Sequence, residues 1–145
     1  MNKRIFVVAL LLLTLALVLT GCSSATGTAV NTWGGAAVDE SMVYYASGSQ
    51  VLALADSGLN YTVRWTYPEK ANATRLFMAE PLVVGEQLIL GDYGSNLTSI
   101  STRDGAENWQ FADATGRYID SPLLVGELLI APNADNTVYA VDLDG

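Results

Sequence analysis

The chain has 145 residues, room for one domain, with no histidine, a single cysteine and a formal charge of −8. Without histidine it lacks the commonest general base and transition-metal ligand, and one cysteine allows no internal disulfide. So acidic a surface repels phosphate backbones and anionic lipid headgroups, which excludes nucleic acid as a partner and any purely electrostatic hold on a membrane.

Met1-Asn2-Lys3-Arg4 carries two positive charges, and Ile5 to Leu19 is apolar except for Thr14. A basic start, a short apolar core and small residues at a cut site make residues 1–21 an export signal. The apolar run falls short of the roughly 20 residues that a permanent membrane helix needs. Leu19-Thr20-Gly21-Cys22, followed by Ser23-Ser24, resembles the lipobox of bacterial lipoproteins. The resemblance implies that the Cys22 thiol receives a diacylglycerol and that cleavage before it makes Cys22 the new N-terminus. The protein is then expected to be exported and lipid-anchored to a membrane through Cys22, facing the periplasm or the cell exterior. Residues 22–32 are small and polar and read as a flexible tether.

From residue 33 onward three segments repeat. They are Ala36 to Ala46, Pro81 to Gly91 and Pro122 to Pro132, each an apolar strand, a short acidic turn and a second apolar strand. Gly85-Glu86 and Gly126-Glu127 are hairpin-turn dipeptides. A third strand follows in each unit: Val51 to Leu54, Leu97 to Ile100 and Val138 to Val141. After a glycine, the first two units add a strand carrying tryptophan, Val63 to Tyr67 and Glu107 to Phe111. Pro81 recurs as Pro122 and Leu97 as Val138 at one identical spacing, and Trp65 recurs as Trp109 at nearly the same one. Four short strands per roughly 40–45 residues is the period of a propeller blade. No apolar pattern of period 3.6 persists after Cys22, so the expectation is an all-β chain: a partial β-propeller of two and a half to three four-stranded antiparallel blades over 33–145, after an N-terminal signal helix.

These units resemble the pyrroloquinoline-quinone-like (PQQ-like) propeller repeat, whose signature runs roughly Ala-x-Asp-x-x-Thr-Gly-x-x-x-Trp. Ser99 to Trp109 keeps the spacing with Gly105 and Trp109, with Ser99, Ser101 and Asp104 in place of Ala, Asp and Thr. The third unit offers Ala140, Asp142 and Gly145, one residue short of the usual spacing; in the first, Trp65 stands three residues late. Trp33-Gly34-Gly35 resembles the tryptophan that closes a preceding blade. The structural repeat residues are therefore Trp65, Gly105, Trp109, Ala140, Asp142 and Gly145. Trp65, Trp109, Tyr44, Tyr93 and Tyr139 are expected to pack, and Asp104 to accept backbone hydrogen bonds in its turn. Two to three blades leave sheet edges and apolar faces open, so a piece of a longer propeller is the leading expectation and ring closure by self-association the other.

No serine or cysteine triad can be assembled without histidine, and no phosphate-cradling glycine loop or metal-ligand cluster is present in the sequence. The expectation is a protein that is not an enzyme, holds no cofactor or metal, and binds other envelope proteins. The resemblance implies a lipid-anchored scaffold like the BamB-like proteins of outer-membrane β-barrel assembly. The alternatives are a fragment of a PQQ-dependent quinoprotein dehydrogenase and an extracellular ligand-binding propeller.

Overall fold

A computed structural model describes residues 34–145; the export signal, Cys22, the tether and Trp33 lie outside the described residues. Every regular element in this span is a strand. The first sheet holds β1 (Ala36–Val38), β2 (Met42–Ser47), β3 (Gln50–Asp56) and β4 (Tyr61–Tyr67). The second holds β5 (Leu82–Val84), β6 (Gln87–Gly91), β7 (Leu97–Ser101) and β8 (Glu107–Phe111). The third holds β9 (Leu123–Val125), β10 (Leu128–Pro132) and β11 (Val138–Asp142). Each sheet is an antiparallel meander in chain order, so the molecule is a partial propeller of two full blades and a three-stranded one.

Sequence explains the strand ends. The β5–β6 and β9–β10 turns place Gly85 and Gly126 at positive φ, which side-chain-bearing residues resist. Asp39 closes the β1–β2 turn by accepting the backbone N–H of Ser41 and Met42 on Oδ1. The β6–β7 and β10–β11 turns share one design, Asp92 to Asn96 and Asn133 to Thr137, with Ser95 and Asn136 left-handed at the same place.

Burial follows the alternation of side chains along a strand. In the second sheet Leu88, Leu90 and Ile100 turn toward the first sheet and join Tyr44, Ala46, Val51, Ala53, Tyr67 and Phe77 in one core. Ile89 and Leu97 turn the other way and join Tyr118, Leu129, Ala131 and Val141 in a second core. Both faces of the middle sheet are therefore dry: β6 reads as a near-continuous apolar run, while β7 buries Thr98 and Ser99 alongside Leu97 and Ile100. Each fully buried aliphatic side chain of this kind contributes about 1.5–3 kcal/mol. The outer sheets are buried on one face only, which gives β2 its alternation of Tyr44 and Ala46 inside with Val43 and Tyr45 outside.

One ion pair runs through the first junction. Asp92 is fully buried and accepts Arg75 Nε at 2.5 Å and the backbone N–H of Asn96 at 3.0 Å. Arg75 also donates to Thr98 Oγ1 at 2.9 Å and to the Tyr67 hydroxyl at 3.1 Å, and the Tyr67 hydroxyl donates to Glu107 Oε2 at 2.6 Å. The chain of bonds joins β4, the β4–β5 connection, β7 and β8. A buried pair adds little over a hydrophobic replacement, yet removing one partner costs about 3–5 kcal/mol.

The interblade connections, residues 68–81 and 112–122, are tied down in the same way. Phe77 donates its N–H to Gly48, and Tyr118 donates its N–H to Asp92. The two rings thus hold equivalent positions one repeat apart, both buried. They differ in one atom: the buried Tyr118 hydroxyl, with Asn133 nearby, makes no hydrogen bond of good geometry. An orphaned buried hydroxyl costs about 1–3 kcal/mol. Tyr118→Phe, which restores the Phe77 chemistry, is expected to raise stability by about 1 kcal/mol, seen as a higher urea midpoint with an unchanged slope; a loss of stability would contradict this account.

Candidate functional site

Two grooves open along the junctions between blades; Trp109 lines the second, and Trp65 stands beside the first through its contacts with Thr102 and Tyr44. Ladder irregularities aim those rings. Arg64 is the extra residue of a bulge between Ala53↔Trp65 and Leu54↔Val63. Asn108 is the extra residue between Ser99↔Trp109 and Ile100↔Glu107. A bulge twists its strand and redirects the next side chain. Trp65 then reaches the second blade, where its Nε1–H donates to the Thr102 carbonyl at 3.0 Å. Trp109 reaches the third blade, where its Nε1–H donates to the Leu143 carbonyl at 2.9 Å. Each ring lies against a glycine at positive φ, Gly105 (φ 73°) and Gly145 (φ 100°). A Cβ there would stand 2.9 Å from Trp65 and 2.8 Å from Trp109. Tyr44 stacks on Trp65 with ring centroids 5.8 Å apart.

The groove at the second junction has a volume of about 600 Å³, with Gln87, Ser101, Arg103, Asn108, Trp109 and Asp144 in its walls. Beneath it Ser99, fully buried, donates to Gln87 Oε1 at 2.5 Å and accepts from Asn108 Nδ2 at 3.1 Å. The groove at the first junction has about 440 Å³ and is walled by Asp39, Tyr44, Arg64, Thr102 and Arg103. Arg103 lines both. It pairs with Glu86 at 3.0 Å, but both side chains are largely exposed, so the pair is worth less than about 1 kcal/mol and is readily exchanged for another charged partner. Among the described residues no group of three His, Cys, Asp or Glu could hold a metal ion. The arrangement offers shallow, largely polar surfaces, suited to recognising another surface.

The sequence-derived residues fall into distinct places. Trp65 meets Gly105 and Trp109 meets Gly145, each pair joining residues nearly a whole repeat apart. Ala140 sits in β11 on the exposed face of the third blade, and Asp142 ends that strand, its carbonyl accepting the Gly145 N–H at 3.3 Å. Asp104 accepts the Ala106 N–H at 3.1 Å. Tyr93 lies under Arg117, whose guanidinium carbon is 5.1 Å from the ring centroid. Cys22 lies outside the described residues. Sequence reasoning missed Arg75, Asp92 and Arg103; the visible signal was the matched pair of Asp92 and Asn133, which open turns of equal length at the same point of successive repeats.

Two expectations follow. Gly85 and Gly105 share positive φ, but nothing stands within 4 Å of a Cβ at Gly85. Alanine at either position meets about 1–2 kcal/mol of backbone strain, and only at Gly105 does it also displace an indole. Gly105→Ala should therefore cost about 1 kcal/mol or more beyond Gly85→Ala in chemical denaturation, and it should red-shift tryptophan emission. Equal costs would show that the glycine does not seat Trp65. The second concerns pH. Burial, and then the bond to Asp39, pushes the Tyr44 hydroxyl up to about 12. The Tyr44 hydroxyl, at 2.6 Å, and the Ser41 N–H hold the Asp39 carboxyl below its usual value. Tyr44 thus contributes stability that is complete below about pH 10 and lost as pH rises toward 12, while the Asp39 contribution is present above about pH 4 and lost as pH falls. Melting temperature should hold a plateau between those limits and drop outside them, and Tyr44→Phe should flatten the alkaline limb. A melting temperature unchanged from pH 10 to 12 would contradict this.

The fold recurs in solved structures. BamB from Moraxella catarrhalis superposes with a TM-score of 0.57 at 16% identity, over 75% of this chain and 32% of that one. A europium-containing methanol dehydrogenase gives 0.64 at 16% identity, over 76% and 22%. The quinohemoprotein alcohol dehydrogenase from Comamonas testosteroni gives 0.58 at 14% identity, over 78% and 26%. This chain thus spans about a third of the BamB chain and about a quarter of either dehydrogenase. At such identities the likeness is one of fold. No curated protein sequence matches the chain. The family described as outer membrane protein assembly factor BamB matches residues 18–145, nearly the whole chain, and with its blades in register the protein belongs to that PQQ-like propeller family.

Proposed function

We propose that this protein is a non-enzymatic, lipid-anchored propeller that binds other proteins of the cell envelope and serves the assembly of outer membrane proteins. The observation that carries the reading is the family match over residues 18–145. Supporting it, the sole cysteine falls at Cys22, directly after Leu19-Thr20-Gly21 and ahead of a polar tether that leads into the first blade. A lipid on Cys22 would hold the blades at a membrane surface through a segment of about ten small and polar residues. The interblade grooves around Arg103 offer exchangeable charge and hydrogen-bonding groups on the propeller rim, chemistry suited to a polar protein surface.

Cells producing the protein should incorporate labelled palmitate into it and hold it in the membrane fraction. Cys22→Ala should abolish the label and release the protein. Purified with its lipid, the protein should bring down an outer-membrane β-barrel assembly protein, and Arg103→Glu should weaken that capture several-fold without altering the melting temperature. A protein that carries no lipid and captures no membrane protein would overturn the proposal. The likeness to two dehydrogenases supports the fold alone; quinone-dependent alcohol oxidation by the purified protein would overturn the non-enzymatic reading.

A further inference from the structure

The strand pairings give each position of the second blade its counterpart in the other two. Gln87 pairs with Ser101 as Met42 pairs with Ala55 and Leu128 with Asp142. Ser99 stands where the first blade has Ala53 and the third Ala140. Asn108 is the bulge residue that in the first blade is Arg64. Positions held by the apolar Met42 and Ala53 in the first blade have thus turned polar together in the second. A fully buried serine needs hydrogen bonds that an alanine does not, and Ser99 finds them in Gln87 Oε1 and Asn108 Nδ2. One hydroxyl therefore engages one end of each amide and fixes which way each faces. The other ends, Gln87 Nε2 and Asn108 Oδ1, take no partner among the described residues, and both side chains wall the groove of the second junction. The first junction, whose following blade carries its outer strand β8, keeps the equivalent groove, with Thr102 and Arg103 where the second has Leu143 and Asp144. The opening belongs to the junction itself.

We infer that this groove binds an extended segment of a partner protein by its backbone, Gln87 Nε2 donating to a peptide carbonyl and Asn108 Oδ1 accepting a peptide N–H. A donor and an acceptor held by one shared hydroxyl match the two groups that an extended chain presents at its residues. Arg103 and Asp144 put charge of both signs in the same walls, so no single charge is demanded of the segment's side chains. A sugar is a poorer match, because the aromatic ring in the walls, Trp109, already spends its N–H on Leu143 and lies against Gly145. The inference rests on the protein-binding reading above and names the chemistry by which the partner is held.

The test selects peptides from a random phage-displayed library on the whole chain in mild detergent. Affinities of the selected peptides are then measured by calorimetry, with each backbone amide replaced in turn by an ester. One ester should weaken binding about tenfold, and Gln87→Met, which installs the first blade's own residue, should do the same with an unchanged circular dichroism spectrum. In Ser99→Ala, where the two amides are no longer held, ester and amide peptides should bind alike; a merely structural role for Ser99 would weaken both and leave their ratio unchanged. Failure to select any peptide overturns the inference, and so do selected peptides that all bind Gln87→Met as tightly as the parent or that tolerate every ester. Binding of an oligosaccharide from a glycan array that is lost in Gln87→Met assigns the groove to sugar and overturns it equally. Capture of a barrel-assembly protein without peptide binding removes this inference alone, and peptide binding by a protein without lipid or capture removes the envelope-assembly role alone.

Discussion

A four-stranded sheet has two faces and no means of hiding both, so each blade of this molecule depends on its neighbour, and the seat of a tryptophan on a glycine sets where the neighbour stands. Trp65 on Gly105 and Trp109 on Gly145 are the same device used twice. The indole ring fills the outer end of the junction, its N–H is satisfied by a carbonyl of the next blade, and the glycine supplies both a tight turn and room for the ring. With that contact made, the inner strands meet in register and the aliphatic positions one repeat apart fall into equivalent packing. The Arg75–Asp92 pair and its tyrosine add a polar lock at the first junction.

Much of this was legible in the sequence because it is local or periodic. The hairpin dipeptides Gly85-Glu86 and Gly126-Glu127 announce the turns they form, and the return of Pro81 as Pro122 and Leu97 as Val138 announces the blades. Trp65, Trp109, Gly105 and Gly145 stood out as repeat residues, although their pairing across blades did not. Other features stayed hidden because they arise only when sheets meet. The bulges at Arg64 and Asn108 leave no mark in an alternating pattern. Asp92 reads as an ordinary turn acid until Arg75 arrives from a connection that is loop by every local criterion.

The repeat architecture also shapes the functional surface. Strands supply rigid walls, while the turns and junctions carry the variable chemistry: Arg103 between two grooves, Ser99 and Asn108 in a buried hydrogen-bonded floor, acids on most turns. Such a surface is assembled by stacking, and one junction differs from the next in which side chains crown it. Turn carboxylates together with the exposed Arg103–Glu86 pair suit contacts of a polar and charged kind.

The account stands on the tryptophan seats, and nuclear magnetic resonance reads them directly. The measurement is the hydrogen exchange of the Trp65 and Trp109 indole N–H groups, together with the α-proton shifts of Gly105 and Gly145. Slow exchange of both indole protons, with glycine α-protons displaced by the ring currents and close to the indoles in cross-relaxation, is the predicted result. Rapid exchange with glycine shifts at their ordinary values would contradict it.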